Sequence, residues 1–418
     1  MRSFFLGYRC SICHAEYSTG QLMYTCPADG GNLDVVLDIP AIRQKFEKED
    51  ITSRSDPSLW RYLPLLPVDA SASGQTPLHT AGWTPIYWMP GLAEKLGIKS
   101  LWIKDEGRNP TASFKDRASA VVVINAQQTG FDVVTTASTG NAGAALAGMA
   151  AAIGQRSIIF APRTAPPAKI AQLLIYGAQV FLVDGNYDQA FDLAVEAAQT
   201  YGWYCRNTGY NPFTIEGKKT AAFEIWEQII QQQPRGSLPL TVFVSVGDGN
   251  IISGLHKGFK ELHDLGWLEQ MPRLIGVQAV GSAAVANAYT AGVERIEPVH
   301  AVTLADSISV NLPRDGIRAL RAARETGGDY LTVTDQDILL AMKELGARGI
   351  FAEPAGAAGY AGLELAYKQG KLHPDDPVLV LNTGNGLKDV KAAMQAVDTA
   401  PVIEPNIRSL EKILLSGK

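Results

Sequence analysis

The chain has 418 residues, 46% hydrophobic and 19% charged, which allows roughly two or three packed domains and excludes a disordered polypeptide. A formal net charge of −5 and a pI near 5.8 argue against a nucleic-acid or anionic-membrane surface. No apolar run approaches the about 20 residues of a membrane span, Phe4-Phe5-Leu6 is too short for a signal peptide, and four cysteines make no disulfide framework, so the cytoplasm is the expected compartment.

Residues 1–40 carry Cys10-Ser11-Ile12-Cys13 and Cys26-Pro27-Ala28-Asp29-Gly30-Gly31, two turn-like knuckles spaced as in a zinc ribbon. A complete ribbon would have cysteine at position 29. Asp29 offers an oxygen ligand there and His14 is the other candidate, so Cys10, Cys13, Cys26 and Asp29 either hold a structural zinc or form a metal-free relic kept by its hairpins. Residues 41–74 read as a helix and a Pro- and Ser-containing connection. Beyond them, short β-rich runs at 101–103, 133–137, 157–161, 178–183, 242–246, 274–280 and 378–381 alternate with alanine-rich helical stretches. That alternation predicts an α/β architecture of two doubly wound parallel-sheet domains. The larger takes 41–111 and 206–400, the smaller and movable one 112–205, with 401–418 as a C-terminal tail. A ligand belongs in the cleft between them, beyond the carboxyl ends of the strands.

Three turns in this pattern carry chemistry. In 104–117, Asn109-Pro110 signals a loop and Ser113 reads as the N-cap of the following helix, which puts Lys115 in its first turn. A cation is disfavoured there by the partial positive charge of the helix end, and a lysine with a lowered pKa is suited to bond a carbonyl. In Ser138-Thr139-Gly140-Asn141-Ala142-Gly143 a β-rich run ends in hydroxylated residues and glycine before a helix, offering N–H groups and hydroxyls to a carboxylate. In Val246-Gly247-Asp248-Gly249-Asn250 a buried strand runs into a turn whose free N–H groups can cradle a phosphate without any cationic side chain.

With Gly82-Trp83-Thr84-Pro85, Glu353-Pro354-Ala355-Gly356-Ala357 and Thr383-Gly384-Asn385-Gly386-Leu387-Lys388-Asp389, these motifs resemble the fold type II pyridoxal phosphate enzymes, related to tryptophan synthase β, and within them the threonine synthases. The resemblance spans roughly residues 75 to 395. It implies pyridoxal 5′-phosphate as cofactor, held by Lys115 as a Schiff base. Asn141 would meet the ring hydroxyl, the N–H groups of Gly247, Asp248, Gly249 and Asn250 the phosphate, and Thr383 the pyridine nitrogen. Ser138, Thr139, Ala142 and Asn211 would bind substrate. A hydroxyl at 383 stabilises a pyridinium less than a carboxylate does, which favours elimination and replacement over transamination. The cap of a helix after the 378–381 strand is the other role for Thr383. The resemblance further implies a homodimer acting on a small amino acid, with O-phosphohomoserine and water giving threonine and phosphate.

The segment 207–220 departs from the family. Where relatives have an arginine two residues after the Asn-Pro proline this chain has Thr214, and where they have a serine it has Gly209. Losing a guanidinium removes a phosphate contact worth on the order of 1.5 to 3 kcal/mol. Lys218, Lys219 and Arg163 are the cations in reach, although Lys218-Lys219 reads as a solvated pair. The 353–357 motif is also similar to serine and threonine dehydratases. Elimination of water or ammonia, and β-replacement on O-phosphoserine, therefore stand as alternatives, whereas a non-catalytic cofactor-binding protein would not need Lys115.

Overall fold

The runs at 133–137, 242–246 and 378–381 become strands buried on both faces, and helices cover them. The computed structural model describes residues 4–20, 23–69, 76–138, 140–165, 167–185, 187–234 and 236–416. Its strands in chain order are β1 (Phe5–Cys10), β2 (Glu16–Ser18), β3 (Leu33–Leu37), β4 (Ile86–Trp88), β5 (Ser100–Asp105), β6 (Val133–Ala137), β7 (Arg156–Pro162), β8 (Gln179–Val183), β9 (Tyr204–Cys205), β10 (Thr241–Ser245), β11 (Arg273–Ala279), β12 (Asp329–Val333) and β13 (Pro377–Asn382). They form a three-stranded sheet β2-β1-β3, a six-stranded sheet β12-β11-β10-β13-β5-β4 and a four-stranded sheet β8-β7-β6-β9.

The four-stranded sheet is parallel throughout. The six-stranded sheet is mixed rather than wholly parallel, because β4 pairs antiparallel with β5. As an edge strand, β4 leaves Tyr87 and Trp88 exposed, so it lacks the buried apolar run of the neighbouring β5 and β13. β12, with its Asp and Thr, and the two-residue β9 also fall outside the sequence expectation.

The helix carrying Lys115 spans Lys115–Gln128 and is buried on all sides from Ala118 to Ala126. Phe114 rather than Ser113 is its N-cap, and no side chain caps it; Ser113 Oγ lies 3.4 Å from the Lys115 N–H. Two residues on, Arg117 locks the helix in place. Its guanidinium donates to Glu106 and Glu224, Lys104 Nζ sits 2.7 Å from Glu224, and all four side chains are fully buried. Two cations and two carboxylates neutralise one another there, and Glu224 also accepts the N–H groups of Trp83 and Thr84. The network thus ties the 82–85 turn to the lysine helix. A second helix, Phe213–Lys218, crosses closely: a Cβ on Gly217 would fall 2.0 Å from the Arg117 carbonyl oxygen.

The three-stranded sheet packs on this same region. Phe5 and Tyr8 make edge contacts with Phe213, Tyr24 stacks on Tyr210 with centroids 4.6 Å apart, and Arg318 pairs with Asp34 at 2.7 Å.

Candidate active site

Lys115 is half-buried and lines two adjoining cavities. The larger, about 380 Å³, is bounded by Ser138, Asn141 and Ala142 from the four-stranded-sheet side and by Asp248 and Ser307 from the other. The smaller is bounded by Gly247 to Ile251, Ser245, Thr208, Lys218, Glu353 and Thr383. Burial and the Arg206 guanidinium push the Lys115 amine down to about 8, against the opposing pull of Glu353 and Asp248.

Asn141 opens the helix Asn141–Ala152, with Gly140 as N-cap, and its amide donates to Glu353 Oε1 at 2.7 Å. Burial raises the Glu353 carboxyl above its usual range. Ser138 Oγ accepts the Gly140 N–H at 3.2 Å, so the hydroxyl and the helix end converge at the larger cavity. Thr139 lies outside the described residues. Lys169 with Asp306, Lys388 with Gln172 at 3.0 Å and Arg314 with Asp188 at 2.8 Å bridge the cleft.

The turn after β10 leads into the helix Asn250–Asp264. Gly249 is its N-cap at φ +92°, and a Cβ there would lie 2.6 Å from Ala319 Cβ and 2.8 Å from the Asp315 carbonyl. Only glycine lets the chain turn there, with residues 247–251 lining the cavity. Ser245 Oγ, which lines the same cavity, is buried without a hydrogen-bond partner among the described residues. A depressed lysine amine, a glycine turn on a helix end and an orphaned hydroxyl fit a phosphate-bearing aldehyde such as pyridoxal 5′-phosphate.

Thr383 lines the smaller cavity and is buried, and its carbonyl accepts the Phe114 N–H at 2.9 Å. It does not cap a helix. Asn385 does, accepting the Leu387 N–H at 3.0 Å.

Asn211 is not brought to either cavity. Its amide donates to the Cys205 carbonyl and accepts the Phe213 N–H, each at 2.8 Å, so it braces the loop. Thr208 lines both cavities instead. Gly209 has φ +75° and lies against Arg314, where a Cβ would come within 2.7 Å of the Arg314 Cβ. Lys218 and Lys219 are fully buried rather than solvated. Glu216, Glu261 and Lys257 form a closed ion cluster with Lys219, and Arg163 is exposed beside Asp184. Among the described residues Lys218 forms no ion pair, and its ammonium donates to Asn250 Oδ1. Burial pushes it well below its ordinary value, and Lys115 and Arg206 add to that. Arg206, absent from the sequence expectation, is fully buried one residue after β9; an arginine flanked by Cys205 and Asn207 carries no motif that would have marked it.

At the far end of β1, ligand atoms of Cys10, Cys13, Cys26 and Asp29 all lie within 4.8 Å of one another. The Cys13 and Cys26 sulfurs are 3.7 Å apart and Cys10 Sγ is 3.4 Å from Asp29 Oδ1. Tetrahedral zinc with bonds of about 2.3 Å to sulfur and 2.0 Å to oxygen spans edges of about 3.8 and 3.5 Å. The Gly31 N–H at 2.8 Å helps hold the Asp29 carboxyl at about 2, which keeps it ionised at neutral pH. His14 is outside this group.

Residues 78–384 match the pyridoxal-phosphate dependent enzyme family. The chain is 37% identical to a threonine synthase of Methanocaldococcus jannaschii, over 97% of this chain and 98% of that one, and 36% identical to a threonine synthase of Methanosarcina acetivorans over 97% and 98%. Its fold is similar to that of diaminopropionate ammonia lyase from Escherichia coli, with TM-score 0.65 at 22% identity over 78% of this chain and 88% of that one. A threonine deaminase from Solanum lycopersicum matches with TM-score 0.63 at 22% identity over 84% and 91%.

Proposed function

This chain belongs to the pyridoxal-phosphate dependent enzyme family and, within it, to the threonine synthases, and on that premise we propose that it converts O-phosphohomoserine and water to threonine and phosphate. The observation that carries the reading is the placement of Lys115, a half-buried amine of depressed basicity between the 138–142 turn and the 247–250 turn.

In this reading the 247–250 N–H groups would hold the cofactor phosphate, Asn141 its ring hydroxyl, Thr383 its pyridine nitrogen and Lys115 its aldehyde. Bound pyridoxal 5′-phosphate supplies an electron sink that acidifies the substrate's α-carbon. Lys115 Nζ would be the base for the α-proton; an amine held at about 8 is neutral in useful share near pH 7 to 8. In that reaction Lys115 Nζ would next take the β-proton as the γ-phosphate leaves with its bonding electrons and return a proton to the γ-carbon, and water would add with its hydroxyl at the β-carbon and a proton at the α-carbon. Ser138 Oγ and the N–H groups at the start of the Asn141 helix receive the substrate carboxylate. The hydroxyl of Thr383 keeps the ring a modest sink, which suits elimination and replacement.

Thr214 favours a second reading, since a serine or threonine dehydratase needs no cation for a substrate phosphate. The test is to load the purified protein with cofactor and follow phosphate and threonine from O-phosphohomoserine, with threonine, serine and O-phosphoserine as parallel substrates. A zinc ion held by Cys10, Cys13, Cys26 and Asp29 also belongs to this proposal, supported by sulfur and oxygen spacings close to the edges of a tetrahedral site. So does a homodimer, which light scattering of the purified protein would read.

A further inference from the structure

We propose that Lys218 and Arg206, reached through Asn250 and Thr208, form the subsite for the phosphate of a phosphorylated amino-acid substrate and supply the charge that Thr214 lacks. The inference rests on the threonine synthase reading of the cleft and names the groups that give it its substrate class.

Geometry carries it. Thr214 and Lys218 are four residues apart on the helix Phe213–Lys218 and therefore share a face. Both donate to Asn250 Oδ1, the Thr214 hydroxyl at 3.2 Å. A cation at 218 thus enters the cavity at nearly the place that a longer side chain at 214 would reach, moved by one helical turn. Asn250 is held in that orientation by its own amide, which donates to Asp315 Oδ2 at 2.7 Å.

Arg206 lines neither cavity itself and reaches the smaller one through Thr208. Its Nη1 donates to Thr208 Oγ1 at 2.6 Å and its Nε to Ser119 Oγ at 3.3 Å, whereas Nη2 is buried without a partner. Thr208 and Lys218 line the same cavity. Among the described residues neither Lys218 nor Arg206 forms an ion pair, in contrast to Lys104, Arg117, Lys219 and Lys257, whose buried charges are each matched by a carboxylate. The carboxylates nearest them, Asp248 and Asp315 for Lys218 and Asp248 and Asp116 for Arg206, act from beyond ion-pair distance, so two buried cations without a direct partner gain from an anion that pairs with them. The 247–250 turn already provides a cofactor phosphate with N–H groups, and so the unmatched charge is available to a second phosphate.

The test uses the cofactor-loaded full chain, with inorganic phosphate as the probe. Phosphorus NMR follows the cofactor phosphate and added phosphate separately, and the same samples give the cofactor's visible absorbance and the binding of threonine, which has no phosphate. Lys218→Gln and Arg206→Gln are each expected to weaken phosphate binding, and to raise KM for O-phosphohomoserine, by roughly 10- to 100-fold, with threonine affinity and cofactor absorbance within about twofold of the unaltered chain. Lys218→Arg is expected to keep most of the phosphate affinity, which separates charge from folding. Unchanged phosphate binding in both Gln variants overturns the subsite, as does absence of phosphate binding to the unaltered protein. Loss of the cofactor from the Gln variants overturns it too, by assigning these cations to the cofactor phosphate. If the unaltered protein binds phosphate as described but turns over no O-phosphohomoserine, the subsite stands and the threonine synthase reading fails.

Discussion

Glu224→Gln should destabilise the fold and loosen the active-site lysine together. The Glu224 carboxylate receives Arg117, Lys104 Nζ at 2.7 Å, the Trp83 N–H at 2.7 Å and the Thr84 N–H at 3.2 Å, all without water. An amide at 224 removes the negative charge and turns one oxygen into a donor facing donors, leaving Arg117 and Lys104 with Glu106 alone. Breaking a buried ion network by removing one partner costs about 3 to 5 kcal/mol. At roughly 2.1 cal/mol/K of unfolding entropy per residue, a 418-residue chain moves by roughly 1 °C for each kcal/mol, so the melting midpoint should fall by roughly 3 to 6 °C. The measurement is calorimetry of the cofactor-free protein, followed by cofactor titration. Arg117 anchors the helix that begins at Lys115, so the cofactor's visible absorbance should saturate only at higher cofactor concentration. A midpoint and cofactor affinity equal to those of the unaltered chain would refute the claim that this network positions the lysine. The pH dependence has a definite sign as well. Although burial opposes it, Arg117 and Lys104 hold the Glu224 carboxyl below its ordinary range; its contribution is therefore present above pH about 4.5 and lost as pH falls through the depressed value.

Lys115→Ala should abolish both the cofactor's visible absorbance and turnover; turnover without an added amine would remove Lys115 from its assigned role. Because its amine is held near 8, the rate at which the cofactor-free protein takes up pyridoxal 5′-phosphate should rise about tenfold per pH unit below pH 8 and level off above it, whereas an ordinary lysine would continue to above pH 10. Gly249→Ala should weaken cofactor binding more than tenfold in an absorbance titration, since its φ of +92° and the Ala319 and Asp315 contacts leave no room for Cβ. If the proposed zinc is bound, removing it with a chelator should raise KM for substrate more than it lowers kcat, because Tyr24, Phe5 and Tyr8 pack on Tyr210 and Phe213, beside the segment that carries Thr208 and Lys218.

The backbone geometry of the candidate site was legible in the sequence. Glycine at 249 and the hydroxylated turn before Asn141 announce their geometry locally, because few residue types tolerate a left-handed φ or leave N–H groups free at a helix start. Burial of charge is a tertiary property and was not legible. Lys218 and Lys219 are chemically alike and adjacent, yet one joins a closed ion cluster and the other faces a cavity, a difference set by Glu216, Glu261 and Lys257 far along the chain or on another face. Arg206 was missed for the same reason. Asn211 sits in a motif, but the Cys205 carbonyl and Phe213 N–H, which no pattern reveals, consume its amide. Among strands, β12 escaped because Asp329 and Thr332 interrupt its apolar run, and β4 because an antiparallel edge needs little apolar surface.

The most direct test of the central claim is phosphate release together with threonine formation from O-phosphohomoserine by the cofactor-loaded protein. Stoichiometric phosphate and threonine, lost together in Lys115→Ala, is the expected result. Formation of 2-oxo acid from threonine or serine, with O-phosphohomoserine left intact, would contradict it and make the protein a dehydratase.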